Sequence, residues 1–194
     1  MCRIEVTMRF SNSCAIFGAI FVLGGSVTAQ SSSEGLGWSA KVEVWRHSRL
    51  QALREDAPAA LVPFTTDGCS GGMSAAWGSM ARAFPWFARV FEHEAPWRDC
   101  CVEHDRAYHL GGENANAEAG FFARLKADEE LRMCVQSVAD AQAETLALQY
   151  ESTSEDVVTA IYFVANRMYE AVRVGGLPCS GLPWRWGYGW PQCF

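Results

Sequence analysis

The stretch DCCVEHDRAYHLGG, residues 99–112, sets two adjacent cysteines ahead of a His-Asp pair and closes on a tyrosine and two glycines. Its spacing is helical. Cys101, His104 or Asp105, and Tyr108 recur at steps of three and four and so share one side of a helix. Cys100 points about 100° away from Cys101. Neighbouring cysteines on diverging faces bind one metal ion poorly, yet they can tie one helix to two different partners. Pro96 before the stretch and Gly111-Gly112 after it bound a predicted helix from about Trp97 to Leu110.

What the cysteines do depends on the compartment. Arg3 and Arg9 flank the start of the chain, Cys14 to Val27 is a short apolar run, and Val27 and Ala29 are small residues placed for a cut after Ala29. The run is shorter than the roughly 20 residues that span a bilayer. Residues 1–29 are therefore expected to be an export signal, leaving a secreted or periplasmic chain with no transmembrane anchor. Cys2 and Cys14 leave with the signal. Cys69, Cys100, Cys101, Cys134, Cys179 and Cys193 remain, and six cysteines in an oxidising compartment imply three disulfides, with about 15 possible connectivities. The processed chain keeps 14 basic and 21 acidic residues, a net charge of -7, with no run of Lys or Arg. That balance argues against nucleic acid as a partner.

Residues 30–37 read as a loose Ser- and Gly-rich tail. Val42, Trp45, Leu50 and Leu53 recur at helical spacing between Ser39 and Glu55. APAALVPF (57–64) breaks that pattern and leads into TTDGCSGG (65–72), a glycine loop suited to unusual backbone angles. Met73 to Ala83 reads as a short helix before Pro85. A longer one is predicted from about Ala117 to Gln136, with Phe121, Leu125, Leu131 and Cys134 along it. A third starts near Ser154, where STSE (152–155) offers a capping box between Ser152 and Glu155. Val157, Ile161, Val164, Met168 and Val172 form its core stripe, and Gly175-Gly176 ends it. No alternating strand pattern of useful length is present, so the chain reads as all-α: a tail and helix over 30–63, then a functional domain over 64–194. The final LPCSGLPWRWGYGWPQCF (177–194) is irregular. Its Trp184, Trp186, Tyr188 and Trp190 form either a membrane-interface patch or a cover over the core.

These pieces suggest one machine. Cys101 is expected within reach of Cys69 in the glycine loop, Cys100 of Cys134 on the next helix, and Cys179 of Cys193. The first two staples would lock the glycine loop beside His104 and Asp105. Loop carbonyls and the Asp105 carboxylate are oxygen donors suited to calcium. His104 beside such an ion can act as a general base toward water, with the ion stabilising a developing oxyanion. A carboxylate on the facing helix would orient the other ring nitrogen, and Asp128, six residues before Cys134, is the candidate.

At this point CCVEHDRAY (100–108) resembles the active-site helix of secreted phospholipases A2, whose pattern is C-C-x-x-H-D-x-x-Y. TDGCS (66–70) looks like the calcium loop of bacterial members. ADEELRMC (127–134) is similar to their second catalytic helix and MYEAVRVGG (168–176) to a late helix of bacterial forms. The likeness covers residues 64–176. It implies a disulfide-stapled helical domain with two long antiparallel active-site helices and a glycine-rich calcium loop. It further implies calcium-dependent hydrolysis of the sn-2 ester of glycerophospholipids at a membrane surface, by a chain expected to work as a monomer.

Carried over by position, the resemblance implies that His104 activates water, Asp128 orients His104, Tyr108 hydrogen-bonds within the site and Asp105 binds calcium. Two registers compete for the other ligands. The animal-type register gives backbone oxygens of Gly68, Ser70 and Gly72, and the bacterial one the Asp67 side chain with the Gly68 carbonyl. The loop CSGGMS lacks the animal glycine and cysteine spacing, and Ala107 stands where many animal members have cysteine. Some bacterial members place the orienting acid where this chain has Glu129, and Asp128 is preferred because the residue type is kept. Residues 73–98 have no assignable counterpart. Two rival readings stand beside this one: a non-catalytic membrane-binding module of the same fold, and a zinc protein using Cys69, Cys100, Cys101 and His104 or His109.

Overall fold

Helix α1 (Trp38–Asp56), α2 (Arg98–Leu110), α3 (Ala117–Gln149) and α4 (Ser154–Gly175) make up the described part of the protein, with short 3₁₀ turns at Pro58–Ala60 and Gly68–Ser70. The structure, a computed structural model, describes residues 35–66, 68–70, 95–112 and 116–193, and among these there is no strand. The expected export signal and the expected helix over 73–83 lie outside the described residues. No helix among them is long and apolar enough to cross a membrane.

Sequence signals set most of the helix ends. Gly111 takes the left-handed conformation (φ 73°) that a β-carbon disfavours, and its N–H returns to Ala107 O to close α2. Asn116 caps α3 by accepting from Ala119 N at 2.8 Å. At α4 the cap is Thr153 rather than the expected Ser152. Its hydroxyl accepts from Asp156 N at 3.1 Å and lies 2.7 Å from the Asp156 carboxylate, a capping pair one position later. Helix α3 also outruns its predicted end at Gln136. No Gly or Pro interrupts residues 121–174, and Ala139, Leu146 and Ala147 extend its buried side.

Helices α2 and α3 run antiparallel, because three contacts descend together: Cys100 bonds Cys134, His104 meets Asp128, and Tyr108 meets Arg124. A second disulfide, Cys69–Cys101, ties the Gly68–Ser70 turn to α2, and Cys179–Cys193 closes the C-terminal loop. All three expected pairings are present. Leu131, Val135, Val157, Ile161, Val164 and Met168 fill one core between α3 and α4. Each fully buried side chain of this kind contributes about 1.5–3 kcal/mol.

The second core joins Leu50 of α1 to Tyr108, Ala127, Trp186 and Trp190. Its loop finishes α2. Gly187 N donates to Tyr108 O at 2.6 Å, Gly189 N to His109 O at 3.1 Å, and Trp190 Nε1 to Leu110 O at 2.9 Å. Those carbonyls would otherwise be orphans of a helix end. Gly187 is required here: φ is +74°, and a β-carbon would come 2.6 Å from Leu50 Cδ2. Trp186 and Trp190 are buried and Trp184 is 40 % exposed. The loop therefore covers the core, and the alternative of a four-ring interface patch does not hold.

Helix α1 is turned from its expected orientation. Leu50 faces inward as predicted, but Glu43 and His47 are buried with it while Trp45 is 61 % exposed. Apolar periodicity misplaced the face because the buried side is held by charge, as the site makes clear.

Candidate active site

His104 leaves α2 toward α3, where its Nε2 lies 3.0 Å from Asp128 Oδ1. Asp128 is fully buried. The same oxygen accepts from the Tyr108 hydroxyl at 2.6 Å. Because Nε2 faces the carboxylate, the neutral imidazole carries its proton there and leaves the Nδ1 lone pair unprotonated. That nitrogen looks toward Asp105, with Oδ1 3.9 Å away. Three of the predicted residues thus meet within hydrogen-bonding distance, and Asp128 rather than Glu129 is the acid that reaches the histidine.

Burial disfavours a charged imidazole, but hydrogen bonding and attraction to Asp105 and Asp128 outweigh it and raise the pKa of His104 above the ordinary histidine value. Burial also lifts the Tyr108 hydroxyl well above the usual tyrosine range, reinforced by Asp128. Tyr108 therefore keeps its proton. It donates to Asp128 while accepting from Arg124 Nε at 3.1 Å.

Behind Asp128 lies a group of charges that no motif in the sequence announced. Arg173 Nη1 donates to Asp128 Oδ2 at 2.9 Å and Arg173 Nη2 to Glu43 Oε2 at 2.8 Å. Arg124, fully buried, pairs with Glu43 Oε1 and donates to the carbonyls of Val172 and Arg173 at 2.7 and 2.8 Å. Burial would raise the Glu43 carboxyl, but neighbouring His47, Arg124 and Arg173 bring it below the usual range. His47, 1 % exposed, lies 3.7 Å from Glu43 and has no hydrogen-bond partner among the described residues. Its pKa is lowered chiefly by burial. The available signal was three charged residues on otherwise apolar helix faces, and it could not say which would pair.

On the other side of His104 the chain is more open. Thr66 donates to Asp105 Oδ2 at 2.5 Å, and Gly68 N donates to the Thr66 hydroxyl at 3.0 Å. Gly68 has φ +70°. The Asp105 side chain is 25 % exposed. Of the oxygen ligands a hard cation needs, this side supplies the Asp105 carboxylate, next to a tight backbone turn that the Cys69–Cys101 bond fixes against the same helix, and no cluster of three or more His, Cys, Asp or Glu side chains is found among the described residues. Ser70 is placed in that turn by its backbone. Asp67 and Gly72 lie outside the described residues. The zinc reading fails, because Cys69, Cys100 and Cys101 are all consumed in disulfides, and His109 is buried with its Nε2 2.9 Å from Val62 O.

A cavity of about 470 Å³ adjoins His104 between α2 and α3. Ala107, Leu110, Ala127 and Leu131 give it an apolar lining, with Glu103, Arg106 and Glu130 among the polar residues around it. Its size falls within the range of small-molecule sites. Comparison of the chain with protein-family models, with curated proteins and with solved structures returned no match.

Proposed function

We propose that this chain is a calcium-dependent esterase of the phospholipase A2 type, releasing the sn-2 fatty acid of glycerophospholipids at a membrane surface. The observation that carries the reading is the buried His104 Nε2–Asp128 Oδ1 contact at 3.0 Å, with Asp105 on the next position and beside a glycine turn. Asp105 and the Gly68 and Ser70 backbone, with Asp67 and Gly72 from the same loop, are the residues that would hold the ion. Calcium, when bound, would polarise the ester carbonyl and offset charge on its oxygen.

His104 Nδ1 takes a proton from water as the water oxygen bonds to the carbonyl carbon. Asp128 holds the imidazolium through Nε2. Nδ1 then returns the proton to the glycerol oxygen as the ester C–O bond breaks, giving a fatty acid and a lysophospholipid. The apolar lining beside His104 suits an acyl chain.

Adsorption to lipid would rest on the outer face of α1. Trp38, Lys41, Trp45 and Arg49 all fall within a sector of about 80°. Trp38 is 82 % exposed, and Lys41 and Arg49 have no ionic partner among the described residues. Interfacial tryptophans flanked by cations are the usual side chains for seating a helix in headgroups.

Fatty-acid release from mixed phospholipid vesicles, with calcium and then with chelator, tests the reading against His104→Gln. Calcium-dependent release that drops at least about 10²–10⁴-fold in the variant is expected for loss of a general base. Oxidised protein that releases nothing with calcium present would leave the site as a binding module. Release that survives the substitution would place the chemistry elsewhere.

A further inference from the structure

We propose that Glu43 and Arg173, from the two helices α1 and α4, act together as a positioning clamp that fixes the rotation of the Asp128 carboxylate and through it the ring of His104. The inference deepens the function proposed above and rests on it for the kinetic part of its test.

The need for a clamp follows from the load on Asp128. One oxygen, Oδ1, carries both the Tyr108 hydroxyl and His104 Nε2. The terminal torsion of an aspartate is broad and soft, so two donors on a single oxygen restrain that oxygen alone and leave the plane of the carboxylate to be set by what holds the other. The second oxygen is pinned by Arg173 Nη1 at 2.9 Å. Arg173 is itself held by its other terminal nitrogen, 2.8 Å from Glu43 Oε2. The remaining oxygen of Glu43 is occupied by Arg124, whose Nε continues to the Tyr108 hydroxyl. The ring of contacts thus closes on itself: Asp128, Arg173, Glu43, Arg124, Tyr108 and back to Asp128.

Two acids and two bases leave this ring without net formal charge. Burying such ions costs several kcal/mol each before pairing, and apolar side chains of similar volume often give equal or greater stability. Stability alone is thus a weak reason for the arrangement, whereas orientation uses every contact in it. Arg173 is singled out because its two terminal nitrogens span two carboxylates from one rigid planar fork, whereas a lysine ammonium is a single point charge on a flexible stem.

The test uses the intact oxidised protein and two variants, Arg173→Lys and Glu43→Gln, with folding checked by circular dichroism. Long-range proton–nitrogen spectra of the His104 ring, at a pH where it is neutral, report which nitrogen bears the proton and require no turnover. The expected wild-type result is a single tautomer protonated at Nε2, and a mixed tautomer in the wild type overturns the proposal outright, whatever the variants do. In folded variants a mixed tautomer is expected, with kcat lowered about 10–100-fold, as for loss of a supporting partner, and KM within about threefold. Folded variants with the wild-type ring spectrum and wild-type kcat would overturn it. Should the wild type release no fatty acid, the proposed function fails while the ring spectra still decide the clamp. If Arg173→Lys does not fold, Glu43→Gln carries the comparison, since it keeps side-chain shape while removing the charge and one of the two oxygens that accept from Arg124 and Arg173.

Discussion

The two nitrogens of His104 face different kinds of protein. On the Nε2 side Asp128, Tyr108, Arg124 and Glu43 are buried, Arg173 is half-buried, and all five are paired across four helices, with partners on both oxygens of the Asp128 carboxylate. On the Nδ1 side stands a partly exposed Asp105, steadied by one threonine hydroxyl and a turn that a single disulfide holds to the helix. The difference teaches how one ring can be held firmly on a single side. One nitrogen is fixed by dense, costly structure, and the other is left beside a single carboxylate 3.9 Å away.

The sharpest way to break this contrast is to remove an acid from each side. Asp128→Ala leaves the buried Arg124 and the half-buried Arg173 without their shared carboxylate and is expected to cost about 3–5 kcal/mol in urea unfolding. Asp105→Ala, on the open side, should cost less than about 1 kcal/mol in chelator. Equal losses would erase the distinction. Next in size, Cys69→Ser with Cys101→Ser frees the glycine turn. The disulfide spans 32 residues, and chain-entropy reasoning gives a loss of about 3–4 kcal/mol, visible as a lower urea midpoint.

pH should separate the two buried histidines, His47 and His104, by sign. His47, lowered from 6.5, binds fewer protons folded than unfolded. Stability should therefore fall as pH drops below 6.5, and His47→Gln should flatten that acid limb. His104, raised from 6.5, binds more protons folded than unfolded. Its contribution is full below 6.5 and is lost as pH climbs through its folded value, so His104→Gln in chelator should flatten the upper limb. Unfolding free energy measured across this range checks both limbs. The smallest expected effect is Thr66→Val, which removes one exposed hydrogen bond to Asp105 and should lower stability by no more than about 1 kcal/mol. A larger loss in thermal unfolding would mean that the open side is built more rigidly than its contacts suggest.

How much of this was legible follows the same division. Adjacent cysteines on one helix needed two partners, Asp128 sat at a spacing that faces His104, and glycines ended α2 where expected. The first and last are local signals, and Asp128 followed from counting six residues back from Cys134 once that cysteine was paired with Cys100. Glu43, Arg124 and Arg173 were not readable, because their meaning lies in contacts as distant as the 130 residues between Glu43 and Arg173. The α1 stripe was misjudged for the same reason: a helix that buries Glu43 and His47 and exposes Trp38 and Trp45 inverts the apolar pattern. The end of α3 was missed for a simpler cause, since its Ala-rich continuation carries weak periodicity while favouring helix strongly.

The loop that finishes α2 also sets a clock. The Trp190 indole that reaches Leu110 O stands 80 residues downstream of it, and synthesis at about 5–20 residues per second separates the two by about 4–16 s. A 13-residue helix is marginal on its own. During that interval the His104 segment exists without the donors that hold its last turn. The pairing of His104 with Asp128 is thus built on a helix whose last turn is finished only when the final residues of the loop have been made.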